Sequence, residues 1–173
     1  MNLERIREGS YSGRDTHLWK SFGRILKHIG YEASWEVVDP FARNCPLAHR
    51  WSNDLNPTTS AKFNLDAQDF LEGVPSNVAD LVIFDPPFSE PQAERKYGEG
   101  ANLYSEPGRI PDMMLEIGRI LKPSGLLMKF GYNSSRHWAG LQLLNVYLLN
   151  FGGNRNDVIV TIWKQTQTSL GDF

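Results

Sequence analysis

The chain has a single cysteine, Cys45, among its 173 residues. That excludes an intrachain disulfide framework and a cysteine-rich zinc site, and it points to a reducing compartment. No apolar run approaches the roughly 20 residues that span a bilayer. The opening MNLERIREGS carries no apolar signal core either. The expectation is a cytoplasmic chain with no membrane partner. A basic surplus is also missing: 18 Lys and Arg stand against 20 Asp and Glu, for a net charge of -2. Proteins that coat nucleic acid by charge alone carry the opposite balance, so any such contact must rest on a local patch or a partner. Internal repeats are absent, and the only biased tract is a short polar tail at 165–173. The GxGxxG fingerprint of dinucleotide sites is absent too, which argues against a pyrophosphate ligand.

What is present is an ordinary globular balance, 40% hydrophobic and 22% charged, long enough for one domain over 1–173. Residues 1–33 read as an N-terminal helical segment. Within it Leu18, Phe22, Ile25, Leu26 and Ile29 recur at helical spacing, with Asp15 or Thr16 to cap the start and Gly30 the end. Short strands follow in SWEVVDPF, HRWSNDL and KFNLD, then a brief helix through AQDFLE. ADLVIF at 79–84 is almost wholly apolar, hence a central strand, and Pro86-Pro87 halt it. Residues 89–109 show no regular pattern, and their glycines and prolines argue against a packed element. A helix at 110–121 and a strand LLMKFGYN come next. Two strands near 143–150 and 157–164, joined through Gly152-Gly153-Asn154, close the chain. Alternating strands and helices imply a doubly wound α/β domain, mostly parallel, with an antiparallel C-terminal hairpin on one edge.

Ligands of such sheets bind beyond the carboxyl ends of the strands. Four predicted strands end there in acids: Asp39, Asp54, Asp66 and Asp85. A rim of carboxylates suits a ligand with hydroxyl and amino donors and a positive centre. The sharpest signal is Asp85-Pro86-Pro87-Phe88, placed directly after the buried strand. The amino nitrogen of adenine or cytosine is a poor nucleophile, because its lone pair is delocalised into the ring. A carboxylate and a backbone carbonyl that accept both its N–H bonds turn the lone pair outward, and two prolines fix that backbone. An aromatic ring such as Phe88 can stack on a base taken out of its helix.

These residues resemble the amino-methyltransferases, whose motif is Asp, Asn or Ser, then Pro-Pro, then an aromatic. The resemblance implies a Rossmann-like methyltransferase sheet, S-adenosylmethionine as cofactor, and Asp85, Pro86, Pro87 and Phe88 as the catalytic tetrad. VVDPFARN is similar to the family's cofactor loop, implying that Asp39, Pro40 and Phe41 lie at the methionine end. Ala42-Arg43-Asn44 departs from the pattern by replacing the loop's glycines. SNDLNP matches the segment where Asp54 would hold the ribose hydroxyls and Leu55 cover the adenine ring. NLDAQDFL matches the next, with Asp66 accepting from the cofactor's adenine N6 and the Ala67 amide near its N1. Thr16 is the expected donor to the cofactor's carboxylate.

The C-terminal third resembles small adenine methylases carried by phages, with KFGYNS followed by NFGGNRNDVIVTIWK. That implies adenine N6 in DNA as the acceptor, and a host cytoplasm. Segment 89–109 is the candidate target-recognition loop, with Arg95, Lys96, Tyr97, Tyr104 and Arg109 as candidate nucleic-acid contacts. So small a recognition region leaves room for a homodimer or a partner protein that supplies it.

Plainer roles stand beside each assignment. Asp54 reads equally as a turn residue, Asp66 as a helix N-cap, Thr16 as a helix cap, and the loop charges as solvated. Cys45-Pro46 reverses the Pro-Cys order that cytosine C5 chemistry needs. RNA base amino-methylation and an inactive methyltransferase-fold subunit remain the two alternatives.

Overall fold

A computed structural model describes residues 2–8, 15–97, 106–133, 137–152 and 156–166, the side chains of 95 and 96 excepted. Among the described residues seven strands form one sheet: β1 (Asn2–Arg7), β2 (Val37–Asp39), β3 (Trp51–Ser52), β4 (Ala79–Phe84), β5 (Leu121–Gly131), β6 (Leu141–Asn150) and β7 (Val158–Gln165). Their order is β1-β6-β7-β5-β4-β2-β3. Only β7 runs against the rest, pairing antiparallel with both β5 and β6. The described residues also form four helices: α1 (Lys20–His28), α2 (Ala67–Gly73), α3 (Glu90–Tyr97) and α4 (Arg109–Ile120).

The apolar run in β4 is legible as burial on both faces. Val82 and Phe84 join a core with Leu71 of α2 and with Met113 and Ile117 of α4. Leu81 and Ile83 face the other way, into a core with Phe22 and Ile25 of α1 and Met128 and Phe130 of β5. A strand covered twice has no face to leave polar. The doubly wound, mostly parallel α/β architecture expected from the sequence is the one observed.

Six expectations about elements are corrected. The segment 1–33 is not helical throughout, since its first residues form β1, paired in parallel with β6. That strand takes the sheet edge, so the C-terminal hairpin is internal and inserts β7 between β5 and β6. The helix expected over 15–29 is broken, with a 3-10 turn at Thr16–Leu18 and an extended Trp19 before α1. KFNLD makes only an isolated bridge, Asn53 to Phe63. There the Asn53 side chain replaces the ladder, donating to the Leu65 carbonyl at 3.0 Å and accepting from the Leu65 amide at 2.9 Å. Finally, 89–109 contains α3, because Pro91 sits in the first turn, where its missing N–H costs nothing. The tail begins later than read, as Gln165 belongs to β7 and donates to the Gly118 carbonyl at 2.5 Å. Gly153, Asn154, Tyr104 and 167–173 lie outside the described residues. Among the described residues no helix is long and apolar enough to cross a membrane.

Candidate active site

Strand order brings β2 and β4 side by side with their carboxyl ends together, so Asp39 and Asp85 meet. Both line a crevice of about 290 Å³, its open mouth included, with Thr16, Phe22, Phe41, Arg43 and Cys45. Thr16 reaches it from the 3-10 turn, and its hydroxyl donates to Asp85 Oδ2 at 2.5 Å. Thr16 therefore holds the tetrad's carboxylate. It is not the turn's N-cap, which is Asp15.

Asp39 is buried at 2% exposure, and its Oδ1 accepts from the Phe41 amide at 3.0 Å. Burial pushes its carboxyl well above the usual range; the amide opposes this, while the nearby Asp85 and Asp54 add to it. Such a group favours a cation beside it. Phe41 packs edge-on against Phe84 at 5.5 Å, and the Pro40 carbonyl accepts from Asn53 Nδ2 at 3.2 Å. Cys45 is also in this crevice, and burial pushes its thiol up to about 12. A thiol held that high is not a nucleophile at neutral pH.

The loop after β2 keeps the turn that its missing glycines would have made. Arg43 takes a left-handed φ of 47°. Its amide then donates to Asp54 Oδ2 at 3.2 Å, and its guanidinium pairs with Asp15 at 2.6 Å. Asp54 also accepts from the Asn56 amide at 2.9 Å, and burial raises its carboxyl above the ordinary value despite these donors. Leu55 beside it is exposed at 42%, open to cover a ring. Asp66 caps α2, accepting from the Gln68 amide at 2.9 Å, and Ala67 is buried in that helix's first turn.

Both of these acids carry a side chain from the 89–109 segment. The Tyr97 hydroxyl donates to Asp54 Oδ2 at 3.4 Å, and Arg109 forms an ion pair with Asp66. Tyr97 and Arg109, two of the candidate nucleic-acid contacts, thus sit on the acids. Arg109 Nε is buried without an acceptor among the described residues.

The tetrad divides two cavities. Asp85 faces the first, while Pro86 and Phe88 line a second, of about 480 Å³ with its mouth, together with Ile110, Lys129 and Tyr132. The Phe88 amide donates to Gln92 Oε1 at 2.8 Å, which ties the tetrad's end to α3. The Phe88 ring meets Tyr132 edge-on at 4.8 Å. Pro87 is buried beneath. Sequence reasoning missed Asn53 and Lys129; a lone lysine in KFGYN carried no signal of its own.

No protein-family model and no curated protein sequence matches the chain. Solved structures do. The Escherichia coli protein yhhF, described as a candidate methyltransferase, is 12% identical over 92% of this chain and 90% of its own, with a TM-score of 0.57. The Haemophilus influenzae protein HI0767, a candidate methylase, is 18% identical over 86% and 88%, with a TM-score of 0.51. The fold is a methyltransferase fold. TrmN from Thermus thermophilus shares it at a TM-score of 0.59 and 15% identity, with 89% of this chain covering 51% of that one. In this methyltransferase fold the crevice beyond β2 and β4 is the switch point where a doubly wound sheet binds its ligand.

Proposed function

We propose that the chain is an S-adenosylmethionine-dependent methyltransferase acting on the N6 amino group of adenine in DNA. One observation carries the reading: the Asp85 carboxylate, gripped by Thr16, stands between an acid-lined crevice and an aromatic cavity. The crevice fits the cofactor by its chemistry. Buried Asp39 calls for a positive centre, Asp54 has lone pairs for ribose hydroxyls, and Leu55 offers an apolar cover. Asp66 and the Ala67 amide would meet the adenine, and Pro40 and Phe41 would flank the methionine end. S-adenosylmethionine, when bound, supplies an electrophilic methyl group on a sulfonium.

The chain's own residues then orient the acceptor. Asp85 and the Pro86 carbonyl accept the two amino N–H bonds, Pro87 stiffens the turn, and Phe88 stacks on the base. Aspartates, near pKa 3.9, are far too weak to deprotonate a neutral amino group. Asp85 works by orientation, and the proton leaves to it or to water once the nitrogen has gained its methyl.

The decisive test is mass spectrometry of nucleosides from DNA and RNA incubated with protein and cofactor, beside a calorimetric titration. N6-methyladenine in DNA is the expected product, lost by orders of magnitude in Asp85→Ala with cofactor affinity kept. Methylation confined to RNA, or N4-methylcytosine, overturns the polymer or the base. A second reading, a methyltransferase fold kept as a partner-binding subunit, is favoured by the side chains already seated on Asp54 and Asp66. No heat of cofactor binding and no product would overturn the enzyme reading and leave this one. The recognition surface is small, so we expect a short target or a homodimer, which mapping of methylated sites and sedimentation will read.

A further inference from the structure

The aromatic cavity beside the tetrad holds one unspent charge. Lys129 is the register partner of Phe84, the residue just before Asp85. Alternation along β5 puts it on the face of Leu127, towards α2 and α4, where it lines the cavity with Pro86, Phe88 and Tyr132. Its Nζ lies 3.6 Å from where a Cβ on Gly131 would stand, so the side chain runs towards the carboxyl end of the strand. Among the described residues no carboxylate or hydrogen-bond acceptor meets that nitrogen. Burial alone moves its pKa, and moves it down. Lys122, near the start of the same strand, is by contrast paired with Asp80 at 2.7 Å. A half-sequestered amine without an acceptor costs stability. Of the described residues, Lys129 is the one cation lining a pocket whose other polar groups are Tyr132 and Asn133, and a few polar groups among aromatic walls serve to orient a ligand.

We propose that Lys129 is a specificity-determining residue whose Nζ donates a hydrogen bond to the acceptor base, at an unprotonated ring nitrogen flanking the reacting amino group. This rests on the function proposed above. Asp85 and the Pro86 carbonyl fix the amino nitrogen but leave the ring free to swing about its bond to that nitrogen. A third contact, on the ring itself, fixes the plane. Adenine presents N1 and N7 on the two sides of its amino group, and either accepts from Lys129. The ligand is a base and not a phosphate, because Phe88, Ile110 and Tyr132 line the cavity around the amine.

The test uses the full chain, S-adenosylmethionine and the polymer that the unaltered protein methylates, with adenine, 1-deazaadenine or 7-deazaadenine at the target position. Lys129→Met keeps the stem and removes the donor. It should raise KM for the polymer about tenfold or more, leave cofactor affinity unchanged, and melt no lower than the unaltered chain. Lys129→Arg should restore part of the loss. The unaltered protein should lose as much on one of the two deaza analogues, and Lys129→Met should lose nothing further on that one. Equal losses on all three bases, an unchanged KM, or a marked fall in melting temperature overturns the proposal while leaving the methyltransferase reading intact. An unaltered protein that methylates no nucleic acid removes both.

Discussion

Thr16 is separated from Asp85 by 69 residues, yet its hydroxyl occupies one of the carboxylate's two oxygens. The carboxylate cannot rotate without losing a charge-assisted bond. Thr16→Val removes that bond and keeps the shape, so turnover should fall about tenfold or more, while Thr16→Ser should stay near the unaltered rate; single-turnover methylation reads both. Asp39 adds a pH dependence. Its carboxyl titrates at 3.8 in the unfolded chain and well above that when buried in the fold. Below 3.8 both states hold the proton. As pH rises past that value the unfolded chain releases a proton that the folded chain keeps, so stability declines until the buried group ionises. Asp39→Asn should therefore melt higher at neutral pH and lose this slope, each kcal/mol regained reading as about 2–4 °C. It should also bind S-adenosylmethionine more weakly, because the positive centre has lost its counter-charge. Thermal melts across the acidic and neutral range check the first point, and calorimetry the second. At this scale the sequence was informative where chemistry is local. Asp85-Pro86-Pro87-Phe88 could be read as a unit, whereas the Thr16 and Lys129 placements depend on chain segments far away.

The best-capped helix owes its cap to another element. Glu8, just past β1, accepts from the Lys20 amide at 3.0 Å and the Ser21 amide at 2.8 Å, so a carboxylate sits on the first turn of α1. It satisfies two orphan donors and meets the positive end of the helix dipole. Glu8→Ala should destabilise the fold by about 0.5–2 kcal/mol, and Glu8→Gln by less; denaturant melts separate them. Neither Glu8 nor β1 was legible. In NLERIR only Ile6 is buried while Leu3 is 75% exposed, so the two-residue alternation of a half-buried strand never forms. α3 was hidden for a similar reason. Among its residues with described burial, Ala93 alone is buried, which leaves no apolar stripe for periodicity to detect. β4, α4 and the body of α1 were legible because each buries a repeating set of large side chains against the sheet.

Taken as a whole, the molecule balances 18 basic against 20 acidic residues. The alternation of strands and helices placed it among α/β domains, but the order of strands depends on which edges meet, and the insertion of β7 leaves no mark on the sequence. The rim acids bear a further consequence. Asp54 and Asp66 already hold Tyr97 and Arg109, side chains that mimic a ligand's hydroxyl and amino donors. On the proposed function, capture of a nucleoside at those acids is a swap, one set of donors for another, and its strength is a difference between two bonds. Ions erode the native partner in such a swap. Salt screens the Arg109–Asp66 pair, whose acid is more than a third exposed, whereas ribose hydroxyls and an adenine amino group carry no net charge to be screened. The contact of the positive centre with Asp39 is buried and little screened, so S-adenosylmethionine affinity should hold or tighten as ionic strength rises from about 50 to about 500 mM, while polymer affinity falls steeply over the same span. A cofactor affinity that drops in parallel with the polymer's would mean that Arg109 never lets go. The same chain would then grip its two ligands under opposite conditions, the small one best in brine and the long one best in dilute buffer.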